Sequence, residues 1–133
     1  MSKTRDVVEE FFRRAGAGEF DRIGELFADE VDWDIYGADE VPWTGRRTTG
    51  AEAAEFFRSL PTHLRAEELT VHRILVEGPD AVVLGYMRQR VLATGELFAT
   101  PFAFHLTVED GRITRYIPHE DSLALARAYG AVA

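Results

Sequence analysis

The apolar positions of the first sixty residues fall into helical stripes broken by one alternating run. Val7, Val8, Phe11, Phe12 and Ala15 recur at the spacing of a single helix face. Asp6, Glu9 and Glu10 stand early in this segment and Arg13 and Arg14 late, the order that a helix dipole favours. Gly16 and Gly18 supply the stop. Phe20, Ile23, Leu26 and Phe27 predict a second, short helix. Val31 to Tyr36 then alternates and predicts a strand, with Val31, Trp33 and Ile35 on its apolar side. Gly37 to Gly45, with Pro42 and Trp43, reads as a loop. Thr49 followed by Glu52 makes a capping box for a third helix carrying Ala54, Phe56, Phe57 and Leu60, and Pro61 ends it.

The period then changes to two. Leu69 to Val76, Ala81 to Ala93, Leu97 to Val108 and Arg112 to Ile117 read as successive strands. The turns between them are Gly78-Pro79-Asp80, Thr94-Gly95-Glu96 and Asp110-Gly111. Pro101 inside the third of these strands marks a local edge or a bulge. Asp121 or Ser122 caps a last helix with Leu123, Leu125, Ala126 and Tyr129, and Gly130 closes it. No repeat, linker or low-complexity tract interrupts the order, so residues 1–133 form one domain. The pattern predicts an α+β fold in which helices pack on one face of a curved antiparallel sheet, a cone with an internal apolar pocket.

Composition narrows the partners. The chain has 133 residues and a 46% apolar fraction, enough for one real core. Its net charge of -8 argues against nucleic acid and against an anionic membrane surface. With no cysteine there is no disulfide, no thiolate nucleophile and no cysteine-bound metal. The four histidines show no metal-ligand spacing and no glycine-rich phosphate loop is present, so neither metal nor cofactor is expected. The stretch Met1 to Glu10 has no apolar signal core and no window is long enough to span a membrane, which predicts a cytoplasmic protein.

Four stretches together resemble the nuclear-transport-factor-two-like superfamily, in its SnoaL-like branch. They are Val7 to Phe12 with Gly18 to Asp21 and Leu26 to Glu30; Pro42 to Gly45 with Gly50, Phe56 and Phe57; Thr94 to Glu96 with Pro101 to His105; and Gly111 to Ile113 with Asp121. The resemblance implies a homodimer and a conical pocket for a small apolar ligand. It does not fix one reaction, because a fold hosts many chemistries. At the catalytic places of ketosteroid isomerase, alignment puts Phe11, Ile35 and Ala103. The arginine between two carboxylates of limonene epoxide hydrolase has no counterpart as a set, because the acids are missing: the corresponding strand reads Tyr86 to Arg90 without an acid, and Pro118 stands near the second carboxylate's place.

Alternation sorts the second long strand into a Leu84, Tyr86, Arg88 and Arg90 side and a Val83, Gly85, Met87 and Gln89 side. Periodicity leaves the inward side open; the family alignment favours Tyr86 and Arg88, and places His105 with them. On that reading His105 transfers protons, while Arg88 and Tyr86 hold a developing oxyanion. Equally, His105 suits a ring satisfied by a backbone carbonyl or set at a dimer face. Arg88 suits a solvated sheet face, and Tyr86 the edge of the cone. Asp121 matches the branch's terminal aspartate, for which the resemblance implies an acid/base role, but it is also a natural N-cap; His119 lies two residues before it. Trp33, Trp43, Phe56, Tyr116 and His119 are the substrate-binding candidates, with Trp43 as a lid, while His63 and His72 read as surface residues.

Two main functions stay open. One is a cofactor-independent acid/base enzyme, an isomerase, cyclase or lyase acting on an apolar carbonyl or polyketide-like substrate. The other is a non-catalytic ligand-binding or dimerisation module. An epoxide-hydrolase-like enzyme is a third reading.

Overall fold

The computed structural model describes residues 3–132, so the outermost positions of the expected domain, and the first two residues of the N-terminal stretch, lie outside the described residues. Helix α1 (Lys3–Gly16) buries Val8, Phe11 and Phe12, the stripe that the spacing predicts. A short helix α2 (Phe20–Ile23) passes through a 3-10 turn, Gly24–Leu26, into strand β1 (Phe27–Ile35). β1 thus begins four residues before the alternating run. Its pairing shifts between Glu30 and Trp33 on one side and between Phe27 and Asp32 on the other, so the first residues carry no clean period of two. Tyr36 falls outside it.

Part of the stretch beyond the expected loop is a strand. β2 (Gly45–Thr49) has no large apolar residue and is mostly exposed, which is why periodicity does not reveal it. Helix α3 (Gly50–Ser59) starts with the expected capping box. Thr49 Oγ1 accepts from Glu52 N at 3.1 Å, and the Thr49 N–H donates to Glu52 Oε1 at 3.1 Å. Pro61 then sits in a 3-10 turn, Leu60–Thr62.

The remaining strands are β3 (Leu64–Glu77), β4 (Asp80–Val91), β5 (Leu97–Glu109) and β6 (Arg112–His119), followed by α4 (Ser122–Tyr129). β3 starts five residues before Leu69, through a charged stretch whose pairing with β4 shifts between Ala66 and Glu68. The sheet is curved, with the order β2-β1-β6-β5-β4-β3. Every neighbouring pair is antiparallel except β1 with β6, which run parallel. The β5–β6 hairpin turns on Asp110 (φ 51°) and Gly111 (φ 77°), two left-handed residues that match the twist of the flanking strands. Pro101 pairs with Tyr86 on β4 but lies past Ala103–His119, the last partners of β5 and β6, so this part of β5 is an edge.

The inner face of the sheet carries Val83, Met87 and Val91 from β4 and Phe98, Phe102, Phe104 and Leu106 from β5, all buried. Gly85 is needed there: a Cβ on it would run into the Thr70 carbonyl and the Phe102 ring. At the centre Trp33 lies 4.5 Å from Tyr116 and 4.9 Å from Phe56, ring centre to ring centre, and Phe11 lies 5.7 Å from Phe57. Such aromatic pairs contribute about 0.5–1.5 kcal/mol each beyond their buried area. Among the described residues no helix is long and apolar enough to cross a membrane.

Candidate active site

The inner face and the helices enclose a cavity of about 290 Å³. α1 contributes Phe11 and Phe12, α2 Phe20, the loop before β2 Trp43, α3 Phe56 and Phe57, β5 Phe104 and β6 Tyr116. Its polar groups are few. Gln89 comes from β4, Glu67 and Glu68 from the irregular start of β3, and Glu120 from the residue after β6.

These acids are not equivalent. Glu67 accepts from Arg90 at 3.2 and 3.3 Å; burial pushes its pKa up, but the guanidinium bonds outweigh this and hold it below the ordinary value. Glu68 accepts from Thr70 Oγ1 at 3.0 Å and faces Arg88 Nε at 3.7 Å. Glu120 has no hydrogen-bond or ion-pair partner among the described residues, and burial raises its carboxyl from 4.5 to about 7. Removal from water disfavours the charged form, and no nearby cation offsets this. The Tyr116 hydroxyl also has no partner among the described residues; burial, and secondarily the Glu120 charge, pushes it well above 10. A carboxyl that titrates near neutrality can give and take a proton, and a neutral phenol can donate a hydrogen bond to a substrate oxygen.

A family model described as a SnoaL-like domain matches residues 8–116. The chain belongs to this family. Solved structures agree on the fold of the SnoaL-like domain. An NTF2-like protein from Burkholderia pseudomallei K96243 is 23% identical with a TM-score of 0.86, covering 98% of this chain and 99% of that one. Another, from Burkholderia xenovorans LB400, is 25% identical with a TM-score of 0.83 and the same coverage. An LEH-like epoxide hydrolase of M. tuberculosis is 18% identical with a TM-score of 0.76, covering 96% of this chain and 89% of its own. Proteins named as an isomerase and as a SnoaL-like polyketide cyclase share the fold at 19% and 15% identity. No curated protein matches the chain.

Within the SnoaL-like domain, the expected site residues divide. Trp43, Phe56 and Tyr116 line the cavity. Trp33 is fully buried behind Phe56 and Tyr116 and does not line it. The inward side of β4 is that of Met87 and Gln89, not that of Tyr86 and Arg88, which corrects the face that the alignment favours. On β5 the inward residue is Phe104, so Ala103 and His105 point out. His105 Nε2 donates to Asp80 Oδ1 at 2.9 Å, and Thr107 Oγ1 donates to the same oxygen at 2.7 Å. Bonds from His105 and then Thr107 lower the Asp80 pKa. The chain of contacts continues across the outer face: Arg115 Nη1 donates to Thr107 Oγ1 at 3.3 Å, Arg115 Nε to Asp32 Oδ2 at 3.0 Å, and Arg46 Nη1 to Asp32 Oδ1 at 3.1 Å. Arg88 lies on this outer face beside Glu68, its Nε buried without a hydrogen bond. His119 is exposed and stacks on Tyr36 at 5.7 Å. Asp121 Oδ1 accepts from Ala124 N at 3.0 Å as the N-cap of α4.

Glu120 is the residue that the sequence reading misses. The signal was available: steps of two from Tyr116 reach Pro118 and then Glu120, and all three line the cavity.

Proposed function

We propose that this SnoaL-like domain is a cofactor-independent enzyme that transfers a proton on a small, largely apolar carbonyl substrate, in an isomerisation, cyclisation or dehydration. Glu120 is its acid/base, and Tyr116 holds the substrate oxygen. The observation that carries this reading is one carboxyl, unpartnered and titrating near neutrality, set into an aromatic cavity. A dry, pre-formed pocket with a few polar groups is the usual setting for such chemistry. Trp43 and Phe56 would pack against the substrate's apolar frame. The names of similar folds, isomerase and polyketide cyclase, are in keeping with proton transfer. The epoxide-hydrolase reading lacks its arginine, since no Arg lines the cavity. A binding module without catalysis is the competing reading, favoured by the loss of the catalytic sets of ketosteroid isomerase and limonene epoxide hydrolase, in whose places stand Phe11, Ile35, Ala103 and Pro118.

The test is proton exchange. A panel of apolar ketones in deuterium oxide should gain deuterium at the α-carbon faster with the protein than without it, and Glu120→Gln should lose about a hundredfold to ten-thousandfold of that rate. Exchange no faster with the parent protein than without it, despite measurable binding, would select the binding module.

We also propose that two copies pair through the outer face of the sheet. Leu75, Leu84 and Leu97 lie there, 48%, 36% and 39% exposed, among the smaller apolar residues of β4 and β5.

A further inference from the structure

We propose that the cavity selects for positive charge, and that its ligand carries an amine or quaternary ammonium group on an apolar frame, seated between the Glu120 carboxylate and the aromatic wall. This rests on Glu120 being the working group of the site.

The lining carries three carboxylates and not one lysine, arginine or histidine. An anionic ligand would enter without a single countercharge. Glu67 and Glu68 are already engaged by Arg90 and Arg88, whose guanidinium groups stand outside the lining. The Glu120 charge is the one left free. A neutral ligand that fills the cavity excludes water from that carboxylate and gives its negative form nothing in return, whereas a cation offsets the desolvation directly.

The wall has the matching character. Ring faces attract cations whose centre lies within about 6 Å, and recognition of ammonium groups by clustered rings is the functional use of that attraction. Phe11, Phe56, Phe57, Trp43 and Tyr116 all border the cavity with Glu120. The fold itself provides a precedent: Arg47 rests over Phe56 at 4.8 Å and over Trp33 at 5.5 Å, with no carboxylate within ion-pair distance among the described residues. The net charge of -8 adds a long-range field that concentrates cations near the protein.

The test uses three probes of similar size: benzyltrimethylammonium, the neutral 2-methyl-1-phenylpropan-2-ol, and phenylacetate. Each is titrated by calorimetry into the full chain at pH 8.5 and at pH 5.5. The cation should bind about tenfold more tightly than the alcohol at pH 8.5, and the preference should shrink toward parity at pH 5.5. Glu120→Gln, checked for folding by circular dichroism, should show no preference at either pH. Equal or tighter binding of the alcohol at pH 8.5, a preference for phenylacetate, or a cation preference that survives in Glu120→Gln would each overturn the inference. A carbon-detected resonance titration of Glu120 separates this failure from that of the underlying reading. A carboxyl that titrates near 7 without cation preference removes the inference alone, while one that titrates at its ordinary value removes both.

Discussion

Replacing Glu120 by Gln should make the protein more stable and less active, with a gain that depends on pH. The carboxyl titrates at about 7 in the folded chain against 4.5 in the unfolded one. At about 1.36 kcal/mol per pH decade, that displacement corresponds to about 3 kcal/mol. The sign follows from proton uptake. Between pH 4.5 and 7 the folded chain holds the proton more tightly than the unfolded chain, so stability from this group is full below pH 4.5, falls through the interval and is constant above 7. Gln cannot ionise and is spared the loss. The variant should therefore gain little at pH 5, where the penalty on the parent is on the order of 1 kcal/mol or less, and about 3 kcal/mol at pH 8. Urea unfolding of parent and variant at both pH values measures this, and the difference between the two proteins cancels carboxylates such as Asp32 and Asp80, whose displacement is downward. A stability difference that does not change between pH 5 and pH 8, or a variant weaker than the parent at pH 8, would refute the reasoning. A working group that lowers stability is the trade-off expected at an active site.

Other substitutions separate cavity from scaffold. Asp121→Ala should lose about 1 kcal/mol of stability in urea unfolding through the lost cap while proton exchange on the ketone panel continues at the parent rate. His105→Ala, on the outer face, should also leave that exchange within about twofold of the parent, a far smaller effect than the loss of a general base. A ligand-induced change in tryptophan fluorescence should vanish in Trp43→Phe and persist in Trp33→Phe; the reverse pattern would remove Trp43 from the ligand. Gly85→Ala should destabilise the fold by about 1–3 kcal/mol, read by urea unfolding, because the new methyl group meets the Thr70 carbonyl and the Phe102 ring. Sedimentation at micromolar concentration should show a dimer, and a monomer would rule out the proposed pairing of outer faces.

Periodicity and turn chemistry made most of the architecture legible. The α1 stripe, the Thr49–Glu52 box and the Asp110-Gly111 turn each carry a local physical instruction that the fold obeys. β2 carried none, because an exposed edge strand needs no alternating apolar residues. The site was half legible for a different reason. Aromatic bulk at Trp43, Phe56 and Tyr116 marks a wall whichever way the strands face. The polar residues depend on a phase that alternation leaves undetermined. Setting Ala103 inward instead of Phe104 slips β5 by one residue, and such a slip exchanges the faces of a strand. His105 then goes with Ala103, and Tyr86 and Arg88 go with them through the pairing of β4 and β5. Glu120 escaped because it lies just past the strand, where the pattern stops but the geometry continues.

The polar chain on the outer face has a consequence for how this scaffold can change. From Asp80 through His105, Thr107, Arg115 and Asp32 to Arg46, it ties together β4, β5, β6, β1 and β2. Each of these partly solvated contacts is weak alone, yet together they specify the strand register from the side of the sheet that the cavity does not use. Residues on the concave side are thereby released from that duty. An aromatic wall residue or a cavity acid can be exchanged over evolutionary time, and with it the ligand, while the ladder beneath keeps its alignment. Selection can act on one side of the sheet with little interference from the other, and a single backbone can pass from one chemistry to the next without having to refold its way there.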